Sequence, residues 1–77
     1  MLAPGSTEPA RFRVRLEREE DGRWLAIVDA IPGVMAYGAT RVGALTAVKA
    51  LTLRVLADRL EHGEEVPEPA HVLFEAA

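Results

Sequence analysis

Asp21 to Thr40 reads D-G-R-W-L-A-I-V-D-A-I-P-G-V-M-A-Y-G-A-T, and the topology of the domain turns on it. Asp21-Gly22 and Pro32-Gly33 are turn signals, because Gly accepts a positive φ and Pro presets the φ that a turn's second residue needs. Between them, from Arg23 to about Asp29, apolar side chains fill both faces of a strand: Trp24, Ala26 and Val28 on one, Leu25 and Ile27 on the other. A strand of that kind is central, or contributes to a second contact surface. Pro32 cannot donate to a ladder, so Ile31-Pro32-Gly33 ends the pairing. A short strand, Val34 to Tyr37, follows. Gly38-Ala39-Thr40 then hands the chain to a helix.

Upstream, Arg11 to Arg18 alternates strictly. Phe12, Val14 and Leu16 point one way, and Arg11, Arg13, Arg15 and Glu17 the other. Period two with one apolar face is a half-buried strand. Glu20-Asp21-Gly22-Arg23 closes a hairpin, since Asp-Gly tolerates the positive φ of a tight turn. Downstream, Thr40 is a good N-cap for a helix from Arg41 to about His62. Gly43 stands where a capping-box Glu would sit. Gly63 suits the left-handed residue that ends a helix, with Arg59 and His62 in the last turn. Glu64 to Pro69 is an acidic, proline-rich linker, and His71 to Glu75 reads as a final strand. The expected fold is α+β, β-β-β-α-β. A three-stranded antiparallel meander is crossed by one long helix, which returns the last strand parallel to the first by a right-handed connection.

Composition narrows the function. Seventy-seven residues make one domain with a modest core. There is no cysteine, hence no disulfide, thiol nucleophile or cysteine metal site. His62 and His71 are too few for a histidine metal cage and read as ordinary surface residues. Residues 1 to 10, with Pro4, Gly5, Ser6, Thr7 and Pro9, resemble neither a signal peptide nor a membrane span and read as a loose tail. No apolar run approaches the ~20 residues of a spanning helix. A cytoplasmic location is the default expectation. The net charge of −3 argues against free-standing nucleic-acid binding and suits a basic partner. Arginine outnumbers lysine eight to one, and Asn and Gln are absent, a bias compatible with a thermophilic source or a GC-rich genome.

The chain carries more apolar surface than one sheet and one helix can bury. Ala44, Leu45, Val48, Leu51, Thr52, Val55 and Leu56 form a helical stripe that can cover the sheet. Val42, Leu53 and Leu60 lie beside it and widen the apolar arc to roughly 200°, where ~100° would serve. On the sheet, Leu25, Ile27, Met35 and Tyr37 face away from the helix with no second helix to cover them. Such a surplus marks an association surface, unless the tail or the stems of Arg13 and Arg15 cover it. Self-association into a homo-oligomer is one expectation.

Catalytic chemistry finds little footing. The strand order matches the core of the ribonuclease H fold, whose two-metal chemistry needs converging carboxylates. The first strand offers none inside, the helix has no acid before Asp58, and Glu75 alone cannot hold a metal pair. Ser6 has no histidine near it in sequence. The six glycines are scattered at turns and caps, so there is no phosphate loop. The expectation is no enzyme activity, no metal and no cofactor. Arg11, Arg13 and Arg15, with Tyr37 nearby, could contact RNA by phosphate pairing and stacking. The plainer reading is a solvated strand face balanced by Glu17, Glu19 and Glu20.

Phe12, Val14 and Leu16, then Asp21, Gly22, Trp24, Ala26, Val28, Pro32 and Gly33, then Gly38 and Thr40 before a long helix, and finally Pro67 and Pro69, form an ordered set. In order and spacing this set resembles the HicB-type antitoxin family, over about residues 11 to 75. The resemblance implies a degenerate ribonuclease H-like domain that neutralises a small basic RNA-cleaving toxin of the HicA type by direct binding. Many family members add a C-terminal helix-turn-helix or ribbon-helix-helix segment that binds the operator. None is seen before Ala77, so DNA binding is not expected from this chain. Two positions depart from the pattern: Val34 stands where Cys is frequent, and Val42-Gly43-Ala44 replaces an acid-and-Ala opening of the helix.

Overall fold

The computed structural model describes residues 10–66 and 72–76. Residues 1 to 9 of the expected tail, Pro67, Pro69 and His71 lie outside the described residues. Along the chain come β1 (Ala10–Arg18), β2 (Trp24–Val28), β3 (Met35–Gly38), α1 (Arg41–Glu61) and β4 (Val72–Ala76). The strands form one sheet in the order β3-β2-β1-β4. β1 pairs antiparallel with β2, β2 antiparallel with β3, and β4 parallel with β1. This is the α+β arrangement expected from the sequence; β1 ends at Arg18 and α1 starts at Arg41 as expected, and the other boundaries are displaced by about one residue.

Val14 stands opposite Val28, Leu16 opposite Ala26 and Arg18 opposite Trp24. Because side chains alternate, this register gathers Phe12, Val14, Ala26 and Val28 on the face toward α1, where all four are buried. Ala44, Val48, Thr52 and Leu56 close the core from the helix, four-residue steps that keep one face inward. Thr52 is fully buried, and its hydroxyl donates to the Val48 carbonyl at 2.7 Å, so no polar group is left unpaired there. Val66, read from sequence as linker, packs against this cluster.

The β1–β2 turn corrects the sequence expectation. It begins at Glu19, with Gly22 N–H donating to the Glu19 carbonyl at 3.0 Å. Gly22 has φ +89° and no non-glycine among the described residues has a positive φ, so Asp21 is not left-handed as a tight Asp-Gly turn would require. Asp21 instead uses its side chain: Oδ1 accepts from the Arg23 N–H at 3.0 Å and Oδ2 from Arg23 Nε at 2.7 Å. Those two bonds, the backbone one foremost, hold its carboxyl below the usual aspartate range. The second turn follows its signal. Val34 N–H donates to the Ile31 carbonyl at 3.1 Å across Pro32 and Gly33, and Gly33 has φ +84°, as a type II turn demands. Ile31, read only as a break in the ladder, is buried in the core.

α1 starts and stops on named groups. Thr40 Oγ1 accepts from the Gly43 N–H at 3.0 Å. At the other end Gly63 has φ +75°; its N–H donates to the Leu60 carbonyl at 3.1 Å, and the Glu64 N–H to the Arg59 carbonyl at 2.9 Å. That bond pair is a Schellman cap. Between strand and helix, Gly38 touches helix backbone: a Cβ there would lie 2.7 Å from Ala44 Cα and closer still to its amide nitrogen. The absent side chain lets α1 descend onto β3 directly after the turn.

Candidate interaction surface

The same alternation that builds the core sends a second set of residues to the opposite face of the sheet. The register aligns Arg15 with Ile27 and Glu17 with Leu25 on β1 and β2, then Leu25 with Tyr37 and Ile27 with Met35 on β2 and β3. On the far side Arg11 aligns with Leu73 and Arg13 with Glu75. This face has an apolar centre at Leu25 and Ile27, a pair of apolar residues toward the β3 edge, and an arginine row along β1.

The four apolar residues expected to stand uncovered here divide in two. Met35 and Tyr37 are 46% and 48% exposed. Leu25 and Ile27 are only 8% and 9% exposed, which corrects the expectation for them. They sit on a central strand, so each is flanked on both sides by long side chains whose stems exclude water. Leu73, at 45% exposure, adds an apolar residue that the sequence reading did not single out. Its signal was present in the alternation: with Phe74 turned toward the helix beside Phe12, Leu73 takes the opposite face, with Arg11.

The arginine row is largely committed. Arg11 Nη1 lies 2.8 Å from Glu75 Oε1. Arg15 holds Asp29 in a fork, Nε to Oδ2 at 3.1 Å and Nη2 to Oδ1 at 3.0 Å, and also contacts Glu17. The bond from Arg15 is the main cause that lowers the Asp29 carboxyl pKa. Of Arg11, Arg13 and Arg15, only Arg13 makes no ion pair among the described residues. The balancing acids are Glu75, Asp29 and Glu17; Glu19 and Glu20, named from sequence, make no such pair. Arg23 lies over the Tyr37 ring, its guanidinium carbon 4.4 Å from the centroid. These two, with Glu19, Glu20 and Asp21, line an open hollow of about 380 Å³ beside the hairpin.

The helix carries a separate apolar line. Val42, Leu53 and Leu60 are all exposed. Their spacings of eleven and seven residues are about three and two turns, so they share one stripe. That stripe lies on the flank of α1, away from the buried row, and the structure does not bring it together with Met35 and Tyr37. Among the described residues no group of three or more His, Asp or Glu is placed to hold a metal, and no helix is long and apolar enough to cross a membrane. No family model, no curated protein and no solved structure matches the chain.

Proposed function

We propose that this chain is a non-enzymatic binding module of the HicB antitoxin type, acting in the cytoplasm to mask a small basic RNA-cleaving toxin by direct contact. The observation that carries the reading is the open apolar pair Met35 and Tyr37 beside the acidic hairpin of Glu19, Glu20 and Asp21. An apolar contact rimmed by acids suits a basic protein surface: the acids steer the encounter and the apolar groups hold the complex. Support comes also from the β-β-β-α-β order, which is the order a partial ribonuclease H-like domain would have, and from the net charge of −3. The RNA-binding alternative is the poorer one, because Arg11 and Arg15 already serve Glu75, Asp29 and Glu17.

The test is co-expression with the product of the adjacent reading frame. The expected result is a small basic protein that co-purifies stoichiometrically and cleaves RNA only when freed. A neighbour that is not basic, or a basic neighbour that does not bind, sinks the antitoxin reading. Incubating the isolated chain with RNA and Mg²⁺ or Mn²⁺ should give no cleavage.

A further inference from the structure

We propose that β4 is the edge through which two copies of this chain join, antiparallel about Phe74, into one continuous sheet. The proposal does not rest on the antitoxin reading. Among the described residues β4 has a single neighbour, β1. No described strand pairs with its outer N–H and C=O groups, and proteins normally guard such an edge with lysine, proline or a bulge. Val72–Ala76 has no lysine and no proline. Its one charge, Glu75, is turned to Arg11 at 2.8 Å.

Both faces of β4 also carry apolar side chains that a single copy leaves open. Leu73 is 45% exposed on the outer face. Phe74, on the helix face, stacks on Phe12 with ring centroids 5.9 Å apart, yet stays only half-buried. α1 lies chiefly over β2 and β3 and covers β4 only sparsely. A strand apolar on both faces is built like an interior strand. The opposite edge differs, because β3 runs through Gly38 straight into the helix that closes on it.

The sequence of β4 says why the occupant is a second copy. Two β4 strands paired antiparallel about Phe74 place Phe74 against Phe74, Leu73 against Glu75 of the second copy, and Val72 against Ala76. The aromatic pair extends the Phe12–Phe74 contact across the junction, a favourable cross-strand pairing. Each Glu75 meets a leucine whose neighbour on β1 is Arg11, so every carboxylate finds an arginine near and no like charges oppose. The junction lies at the far end of the sheet from Met35 and Tyr37, so a dimer would leave that surface open for another partner.

Light scattering on a size-exclusion column, over a wide concentration range, should give twice the monomer mass. The natural chain has no cysteine, so single cysteines report geometry cleanly. A mixture of Leu73→Cys and Glu75→Cys variants should form a disulfide heterodimer under mild oxidation, in preference to either homodimer. Leu73→Asp, at an exposed position, sets a carboxylate against Glu75 twice per dimer and should weaken dimerisation roughly tenfold, with an unchanged far-UV spectrum. A monomer at every concentration overturns the proposal. So does a dimer that ignores Leu73→Asp, or one that lacks the mixed disulfide; the cross-link decides the matter should Leu73→Asp fail to fold.

Discussion

At Gly38 the helix backbone meets the sheet with no room for a methyl group. Gly38→Ala must therefore push α1 away from β3 or distort the turn between them. The expected loss is at least about 1–3 kcal/mol, a large part of what a domain this size has, read as a lowered midpoint in urea. Gly22, Gly33 and Gly63 differ: a Cβ there meets nothing, and only their positive φ is at stake. Asp29 supplies a second prediction. Its carboxyl is held below the ordinary range chiefly by the bond from Arg15. A lowered folded-state pKa means that the contribution is present above the unfolded value of about 3.9 and is lost as pH falls through the folded value. Both partners are exposed, so the stability effect is small; the direct readout is the carboxyl itself. Carbon-detected NMR titration should find Asp29 titrating below a typical aspartate, and Arg15→Met should return it toward that range. An Asp29 curve unchanged by Arg15→Met would refute the fork.

The helix is the element whose ends are most clearly written in residue types. Thr40 accepts from Gly43 and Gly63 closes the Schellman bonds, both as the sequence leads one to expect. Thr40→Ala should cost about 1 kcal/mol and Thr40→Ser much less, a contrast measurable by thermal or chemical denaturation. With no acid in the first turn, nothing else there compensates the helix dipole. The strands were legible from alternation, but the β1–β2 register did not follow from its turn signal: a tight turn at Asp21-Gly22 would set Glu19 against Trp24, where Arg18 stands instead. Their details were less so. Asp21-Gly22 fits a tight turn and a longer one equally well, and the choice went to the longer one because Asp21 bonds Arg23 through its side chain. Ile31 looked like part of a break, yet it is core. A turn residue's burial depends on what lies beneath it, and periodicity does not report that.

Over the described residues, three apolar surfaces remain: Met35 and Tyr37 toward the β3 edge of the sheet, Leu73 on β4, and Val42, Leu53 and Leu60 along α1. Exposed residues contribute little to stability, whereas Leu25 and Ile27 lie closed beneath their neighbours. Tyr37→Ala and Met35→Ala should thus shift the folding free energy by only ~0.5 kcal/mol each while weakening a partner that uses this face. Leu25→Ala should cost about 2–5 kcal/mol. Denaturation curves for the three variants check the division, and equal losses would mean that the face is closed throughout. The alternation of β1, the doubly apolar β2, the two turn signals and the helix caps are local properties. Backbone stereochemistry and the period of side-chain direction dictate them wherever the strands end up, so the sequence by itself determined the element order and the faces of each strand. Which apolar residues are shielded, which arginines are spent on carboxylates, and which sheet edge is left without a neighbour depend on residues far apart in the chain. Leu25 is sheltered by strands on both its sides, and Arg11 meets Glu75 across 64 positions. Burial and pairing of that kind come from the sum of all neighbours in space, and only the tertiary structure supplies that sum.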